Sequence, residues 1–354
     1  MDFPLGTRLR GLPGPVLVTG HTGFKGTWLT FLLERLRVPV IGFSLTPERD
    51  SLFDRAKRTG SIPEEFLDIR NYDSLSEFIS RYKPSVIIHM AAQPLVLRSY
   101  KNPRETFDTN VMGTVNILES SFKTNFVEAI IVVTSDKVYK NNNSGRAFVE
   151  TDALAGKDPY SASKVATEAV VAAWQQIAKV SGGPKVASVR AGNVVGGGDW
   201  AESRLMPDLV RAYISGEEIV LRNPESTRPW QHVLDSLVGY LLGVEYTLVK
   251  GETESFNFGP DTKSLPVKEV AEISKKYWPT PVEIGILEES SSNQTEATSL
   301  SLNSHKAREL LKWSPRWTQE EAVESTFQWW DKVLNRGINP TACCIDDLDR
   351  LLRN

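Results

Sequence analysis

Short hydrophobic runs in the N-terminal half of the chain alternate with longer stretches whose apolar positions recur at helical spacing. The runs fall at 16–18, 38–43, 86–88, 130–133 and 186–189, and the helical stretches at 24–36, 104–122 and 161–180. Strands without a polar face are typical of a parallel sheet covered by helices on both sides. The pattern therefore predicts an α/β fold with a doubly wound, Rossmann-like parallel sheet.

The alternation ends near residue 190, where loops rich in Gly, Pro, Trp and Arg begin. We expect this part to form a smaller C-terminal lobe over the carboxyl ends of the strands, where ligands bind in such sheets. The predicted division is residues 1–192 for the sheet domain and 193–354 for the substrate-binding lobe. The chain is expected to return to the first domain around 230–260.

Composition and charge narrow the functional classes. The 354 residues include 41 basic and 44 acidic side chains, a net charge of -3, which argues against a nucleic-acid partner. The longest apolar runs are far below the roughly 18 residues of a membrane span, and the first residues lack a secretory signal. We therefore expect a cytoplasmic protein with no membrane partner.

Cysteine and histidine are sparse. Cys343 and Cys344 are adjacent, so they provide neither a disulfide framework nor a zinc site. The four histidines are scattered without metal-ligand spacing. We predict no metal.

A glycine-rich turn follows the first hydrophobic run and opens a helix. Its GxxGxxG spacing permits the backbone to approach a pyrophosphate, whose charge faces the amides of the helix N-terminus. Because the turn stands directly after the first strand, we assign it to a dinucleotide cofactor. The cofactor-binding residues assigned to it are Gly20, His21, Gly23, Phe24, Lys25 and Gly26.

The cofactor's ribose normally meets an acidic residue at the end of the second strand. Here that position is Ser44, and Arg49 stands a few residues beyond, so the sequence leaves NADP open beside NAD. Asp68 and Ile69, after the expected third strand, are placed to meet the adenine. The alternative for Asp68 is a helix or turn cap.

Tyr160 and Lys164 form a YxxxK pair on one face of a helix. A neighbouring ammonium favours the phenolate, so we expect Lys164 to lower the pKa of Tyr160 and make it a proton acceptor. A partly buried tyrosine beside a solvated lysine is the alternative. The pair follows the strand that ends at residues 134–137, Thr-Ser-Asp-Lys.

The order of the glycine turn, the Thr-Ser-Asp-Lys segment and YxxxK resembles the extended short-chain dehydrogenase/reductases, the NAD-dependent epimerase/dehydratase family. Longer blocks are similar to its CDP-glucose 4,6-dehydratase branch. These blocks are 20–26 (GHTGFKG), 89–94 (HMAAQP), 190–200 (RAGNVVGGGDW), 228–233 (RPWQHV) and 313–317 (WSPRW).

The resemblance implies an NAD-dependent lyase in deoxysugar biosynthesis that removes water from a nucleotide sugar after transient oxidation at C4. It places Ser135, Tyr160 and Lys164 around the nicotinamide. Asp136 and Lys137 would be the acid and base of the elimination. Which is acid and which is base stays open, because a lysine acts as a base only when its pKa falls far below the ordinary value.

Three alternatives remain. A 4,6-dehydratase for a GDP-, dTDP- or UDP-linked sugar would carry the same motifs. An epimerase is disfavoured, since epimerases of the family generally have small or unreactive residues where Asp136 and Lys137 stand. A non-catalytic NAD(P)-binding regulator would be marked by loss of Tyr160 or Lys164, and both are present.

The resemblance also implies the rest of the site. Because the net charge is negative, cations must be concentrated locally to bind a diphosphate, and guanidinium groups suit phosphate oxygens. Further cofactor contacts are expected from Ala91, Ala92 and Asn110, and substrate contacts from Gln93, Asn193, Trp200, Arg204, Arg222 and Arg228. Trp200 would pack against the base or wall the pocket, with a core tryptophan as the alternative. Relatives pair through helices equivalent to 104–122 and 161–180, which implies a homodimer or a dimer of dimers.

Overall fold

A seven-stranded parallel sheet lies at the centre of the computed structural model, which describes residues 5–221, 223–260, 262–286 and 300–353. Its spatial order is β11 (Ser255–Phe258), β6 (Lys185–Ala191), β5 (Ala129–Val133), β4 (Val86–His89), β1 (Val16–Thr19), β2 (Val40–Ser44) and β3 (Glu64–Phe66). Every neighbouring pair is parallel. The predicted doubly wound α/β fold is confirmed.

Both faces of the sheet are buried, because alternate strand residues enter two separate cores. Val16 and Val18 of β1 belong to one core and Leu17 to the other. The first N-terminal helices are α1 (Thr7–Arg10), α2 (Phe24–Arg35), α3 (Leu52–Arg55), α4 (Tyr72–Tyr82), α5 (Val96–Lys101) and α6 (Pro103–Phe107). They are followed by α7 (Gly113–Phe122), α8 (Pro159–Ser181) and, after the sixth strand, α9 (Leu205–Ser215). The fully apolar runs of the sequence arise from this double burial.

The stretch 104–122, predicted as one helix, is interrupted. A single π-helical turn, Asp108–Met112, separates α6 from α7. The apolar repeat continues through such a turn, so periodicity alone did not reveal it. The predicted stretches 24–36 and 161–180 correspond to α2 and α8, and Asp158 caps α8 in a capping box.

The C-terminal elements form small sheets and helices beside the main sheet. The strands are β7 (Val194–Val195), β8 (Ile219–Leu221), β9 (Thr227–Arg228), β10 (Gln231–His232), β12 (Leu265–Pro266) and β13 (Ile284–Ile286). The helices are α10 (Val233–Lys250), α11 (Val267–Lys275), α12 (Gln319–Leu334) and α13 (Pro340–Leu352), with a π-helical turn at Ala307–Leu311. Through β11 the chain adds the edge strand of the main sheet. The domain division at residue 192 stays a prediction.

Among the described residues, none of the helices combines the length and the apolar character that crossing a bilayer requires.

Helix α10 packs closely on the sheet because glycines face it. A Cβ on Gly239 would lie 2.5 Å from ring atoms of Phe258 in β11. One turn later, a Cβ on Gly243 would lie 3.8 Å from Val189 Cγ1, which is ordinary contact. The helix therefore requires glycine at the first position and tolerates a methyl group at the second.

We predict that Gly239→Ala lowers the free energy of unfolding by about 1–3 kcal/mol, because the added methyl group overpacks the Phe258 ring. Gly243→Ala is the matched control in the same helix. It should raise the free energy by about 0.5–1 kcal/mol, since alanine favours a helix interior over glycine. Denaturant unfolding of both variants measures the difference, and equal effects would contradict the packing described.

Candidate active site

The glycine turn between β1 and α2 is packed backbone against backbone. Gly20 has a positive φ of 73°, and a Cβ there would lie 2.8 Å from the amide nitrogen of Ala91. A Cβ on Gly26 would lie 2.1 Å from the carbonyl oxygen of Gly20. Gly23 caps α2 and is exposed, while Ala91 and Ala92 are half-buried after β4. The N-terminus of a regular helix is thus open to an anion, as a pyrophosphate requires.

His21 contributes only its backbone to this turn. Its buried imidazole Nε2 lies 2.7 Å from Glu64 Oε2 in β3, and its ring stacks on Phe66. The ring fits there because residue 42 has no side chain: a Cβ on Gly42 would lie 2.6 Å from it. Burial lowers the pKa of His21. The imidazole is thus engaged inside the protein, and the assignment of His21 to the cofactor site stays a prediction for its backbone.

Two hydroxyl groups stand where an acidic residue usually holds the ribose. Ser44 ends β2, and its Oγ lies 2.8 Å from Oγ1 of Thr22 in the glycine turn. Thr22 also donates to the carbonyl of Leu45 at 3.1 Å. Arg49, the residue that left NADP open, extends into solvent with 94% of its side chain exposed.

Asp68 and Ile69 follow β3, at the expected place. The Asp68 carboxylate is held by the side chain of Arg70, with its Nη2 2.6 Å from Oδ2, and this hydrogen bond lowers the pKa of Asp68. Ile69 is buried and packs against Gly113. The carboxylate is thus already paired, so the adenine contact predicted for Asp68 would have to share it with Arg70.

Asn110 and Gln93 stabilise the loop after β4 through hydrogen bonds of their side chains. Asn110 accepts from the backbone N–H of Gln93 at 2.8 Å and donates to Gln93 O and to Ser163 Oγ at 3.1 and 2.9 Å. The Gln93 amide bonds the backbone of Leu95 and the hydroxyl of Thr106. Both side chains are buried and hydrogen-bonded internally, so the ligand contacts predicted for these residues, which stay predictions, would have to share these groups.

The residues after β5 form a buried 3₁₀ turn, Asp136–Val138. Ser135 Oγ accepts from the backbone of Lys137 at 3.2 Å and lies 3.1 Å from Asp136 Oδ1. Asp136 Oδ2 is buried and accepts no hydrogen bond from the residues that the structure describes. Burial raises the pKa of Asp136 and outweighs the opposing charge of Lys137. The carboxyl group is therefore suited to donate a proton.

Tyr160 and Lys164 share the face of α8 that meets this turn. Burial raises the pKa of Tyr160 to about 12, although a hydrogen bond with Ser135 opposes the shift. Lys164 Nζ donates to the carbonyl of Val133 at 3.1 Å. Burial and then the charge of Lys25 lower the pKa of Lys164 to about 7. The expectation that Lys164 lowers the pKa of Tyr160 is wrong for this arrangement, since the amine is directed to the strand and burial dominates.

Three positively charged side chains near Asp136, Tyr160 and Lys164 form a cationic rim, and they are Lys25, Arg204 and Arg228. Lys25 Nζ lies 3.2 Å from the hydroxyl of Tyr240 in α10, and burial followed by the charge of Arg204 lowers the pKa of Lys25 to about 8. Arg204 pairs with Asp199 at 3.1 Å and is a neighbouring charge of Tyr160. Phe24, beside Lys25, packs toward Gly196.

Arg228 is half-buried at the other side of the turn. It is a neighbouring charge of Asp136. The next residue, Pro229, closes over Gly192: a Cβ on Gly192 would lie 2.6 Å from Pro229 Cγ and 3.2 Å from Asp136 Oδ2. Arg204 and Arg228 thus bring positive charge close to Tyr160 and to Asp136. Arg222 lies outside the described residues.

Trp200 packs among side chains of the protein. Its ring lies between the guanidinium groups of Arg55 and Arg211, at 5.0 and 5.1 Å, and 5.0 Å from the ring of Trp330. The structure therefore favours the alternative reading of Trp200 as a packing residue. Asn193 is half-buried and its carbonyl accepts from the backbone of Gln231, and its substrate contact stays a prediction.

Sequence reasoning missed two contributors. Thr22 bonds Ser44, and its place inside the glycine turn was the available signal. Tyr240, which contacts Lys25, stands in α10, far along the chain, where no pattern marked it.

With this geometry, the comparison with protein families is decisive. The model of the NAD dependent epimerase/dehydratase family matches residues 16–259. The chain belongs to that family. Its cofactor is NAD, in agreement with the sequence-based expectation.

Relatives of this family cover nearly the whole chain. A CDP-glucose 4,6-dehydratase of Salmonella typhimurium is 38% identical over 337 residues, which is 93% of each protein. The solved UDP-glucose 4-epimerase of Stenotrophomonas maltophila with bound NAD has a TM-score of 0.79 at 19% identity, covering 92% of this chain and 100% of its own. The dTDP-glucose 4,6-dehydratase of Bacillus anthracis in complex with NAD has a TM-score of 0.74 at 24% identity, covering 91% and 98%. The two solved structures share the fold.

The residues present fit NAD. The backbone cradle at Gly20 and Gly26 and the open helix end at Gly23 suit a pyrophosphate. The paired hydroxyls of Thr22 and Ser44 can hydrogen-bond the hydroxyl groups of a ribose.

We predict that Ser44→Asp raises the preference for NAD over NADP by about tenfold or more, because a carboxylate at the end of β2 accepts from the ribose 2′-hydroxyl and repels a 2′-phosphate. Titration of each cofactor against the tryptophan fluorescence of the protein measures the two affinities without any turnover. Ser44→Thr is the control that keeps a hydroxyl and should leave the ratio unchanged. An unaltered ratio in Ser44→Asp would place the ribose elsewhere.

Proposed function

We propose that the protein is a nucleotide-sugar 4,6-dehydratase that converts CDP-glucose to CDP-4-keto-6-deoxyglucose and water. The observation that carries the proposal is the buried turn in which Ser135, Asp136 and Lys137 are consecutive and lie against Tyr160. Elimination of water needs one group that gives a proton and one that takes a proton, in the same place as the oxidation. This turn supplies both.

The first stage removes the C4 hydrogen and the proton of its hydroxyl. Ser135, which hydrogen-bonds Tyr160, holds the C4 oxygen, and Tyr160 accepts the hydroxyl proton. When bound, NAD supplies the hydride acceptor, returns the hydride at the end, and brings a positive charge that favours the Tyr160 phenolate. Lys164, whose Nζ also donates to the carbonyl of Val133, would hold the nicotinamide ribose.

In the second stage, a ketone at C4 acidifies the hydrogen at C5. Lys137 takes that proton and Asp136 protonates the hydroxyl leaving C6, so the C5–H and C6–O bonds break and water departs. Asp136 suits the role of acid because burial raises its pKa. A hydride added at C6 and a proton at C5 complete the 6-deoxy sugar, and the cofactor ends in its starting redox state.

The diphosphate is assigned to Arg204 and Arg228 of the cationic rim, with Asn193 as a further donor. The lobe from residue 193 would then hold the nucleotide end and the sheet domain the cofactor. The cytidine base is supported by the relative from Salmonella typhimurium, a CDP-glucose 4,6-dehydratase that is 38% identical over nearly the whole chain. The dTDP-glucose 4,6-dehydratase of Xanthomonas campestris is 25% identical.

The test is incubation of the protein with NAD and CDP-, dTDP-, UDP- and GDP-glucose in parallel. We expect a 4-keto-6-deoxy sugar from CDP-glucose, detected by its absorbance in alkali and by the mass lost as water. Product from another nucleotide would correct the base assignment alone. An epimerised sugar without loss of water would contradict the dehydratase.

We also propose that the protein forms a homodimer and serves deoxysugar biosynthesis in the cytoplasm. Exposed apolar side chains concentrate on the segment from α5 to α7, at Leu97, Tyr100, Phe107 and Met112. Burying them in a second copy would remove that surface from water.

We predict that sedimentation of the wild-type protein gives the mass of a dimer or dimer of dimers, and that Met112→Asp shifts it toward the monomer. The reason is that a charge at a half-exposed apolar interface position is costly to bury. Lys101→Asp, on α5, is the matched surface control. A monomeric wild type would overturn the interface.

A further inference from the structure

A buried ion pair lies directly beneath the catalytic turn. Glu168 in α8 and Arg190 in β6 are both buried, and Arg190 Nε and Nη2 each donate to the Glu168 carboxylate at 2.8 Å. The hydroxyls of Thr134 and Ser188 donate to the same carboxylate at 2.5 and 2.9 Å. Burial alone would raise the pKa of Glu168, but these hydrogen bonds hold it below its ordinary value. The Glu168 carboxylate is thus charged, and each of its oxygens accepts two hydrogen bonds.

The remaining nitrogen of Arg190 reaches the other end of the turn. Nη1 donates to the hydroxyl of Tyr139 at 2.8 Å and to the carbonyl of Glu150 at 3.2 Å. The Tyr139 hydroxyl in turn donates to Asn257 Oδ1 in β11 at 2.7 Å. The guanidinium also lies 5.2 Å from the centre of the Tyr139 ring.

Several of the residues in these contacts adjoin the turn in the sequence. Thr134 directly precedes Ser135, and Tyr139 directly follows the 3₁₀ turn that carries Asp136 and Lys137. Glu168 stands one helical turn after Lys164. A single ion pair therefore fastens both ends of the catalytic turn to α8.

The ion pair holds the two ends of the turn through different groups, Glu168 at the start and Arg190 at the end. Ser135 is fixed at the start of the turn, by the Thr134 bond to Glu168 and by the Lys137 amide. The end of the turn is held by backbone hydrogen bonds, from Ala155 N–H to the carbonyl of Val138 at 2.9 Å and from Lys140 N–H to the carbonyl of Ala153 at 2.8 Å, and in addition by the bond from Arg190 to the Tyr139 hydroxyl. Removing that hydroxyl would loosen the side of the turn that follows Asp136 and Lys137, whereas Thr134, next to Ser135, keeps its bond to Glu168.

We propose that Arg190 is a positioning residue for the elimination of water, acting through the hydroxyl of Tyr139 on Asp136 and Lys137. This inference rests on the proposed dehydratase activity. It assigns the two chemical stages to separately anchored parts of one turn.

The test is Tyr139→Phe, which keeps the ring stacked on Phe148 at 4.9 Å and removes only the hydroxyl. Product formation should fall by about 10- to 100-fold, as small misplacements of catalytic groups do, while KM for the nucleotide sugar is unchanged. Because the first stage continues, the fraction of nicotinamide present in reduced form during turnover should rise. Its near-ultraviolet absorbance reports this fraction directly.

Two controls accompany the variant. Tyr213→Phe also removes a buried phenol hydroxyl, one that lies 2.5 Å from Ser274 Oγ between α9 and α11, and it should change neither turnover nor the reduced fraction. Lys137→Met, which removes the base itself, should show the same accumulation of reduced nicotinamide as Tyr139→Phe. Thermal unfolding of each protein is measured alongside.

An equal loss of both stages in Tyr139→Phe, or a lower melting temperature with an unchanged reduced fraction, overturns the positioning role. Unimpaired turnover in Tyr139→Phe also overturns it. Failure of the proposed function is distinct: the wild-type protein itself would then release no 4-keto-6-deoxy sugar, and the positioning role would fall with it.

Discussion

The parallel alignment of the strands is the constraint on which the site depends. Since β1, β4 and β5 run in one direction as neighbours, the glycine turn, the loop at Ala91 and the catalytic turn leave the sheet at the same edge. The close approach of Gly20 to Ala91 follows from that adjacency. Residues separated by more than a hundred positions in sequence thereby meet in one place, and the cationic side chains of the C-terminal half complete the enclosure.

The pKa values of the titratable groups in this site are shifted more by burial than by ion pairing. Tyr160 and Asp136 have raised pKa values and Lys164 and Lys25 lowered ones, so each group is biased toward its neutral form. A neutral carboxyl group can give a proton and a neutral amine can take one, which suits a reaction in which protons move at several positions in succession. The Glu168–Arg190 pair is the contrasting case, in which complete hydrogen bonding keeps buried charges in place.

The sequence was sufficient for the parallel sheet with most of its strands and for the glycine turn, because these depend on local pattern and spacing. It did not identify β11 (Ser255–Phe258) as a strand, and the roles of residues 135–137 came from the family resemblance. The sequence did not predict side-chain contacts whose two partners lie far apart along the chain. The sequence around His21 gives no sign that its ring hydrogen-bonds Glu64. Nor does the sequence around Asn110 show that its side chain bonds the backbone of Gln93. Trp200 was ambiguous for the same reason, since Arg55 and Trp330 are brought to it only by the fold. The family resemblance supplied roles for residues but not their orientations.

The His21 ring packs against Gly42, and this contact restricts which residues the two positions can accept. A smaller residue at 21 would leave a cavity against the second strand, and a side chain at 42 would collide with the imidazole while it remains. Either change alone is unfavourable, whereas both together restore the filled volume. The two positions are therefore energetically coupled, and a paired exchange would restore the packing but not the hydrogen bond between His21 and Glu64.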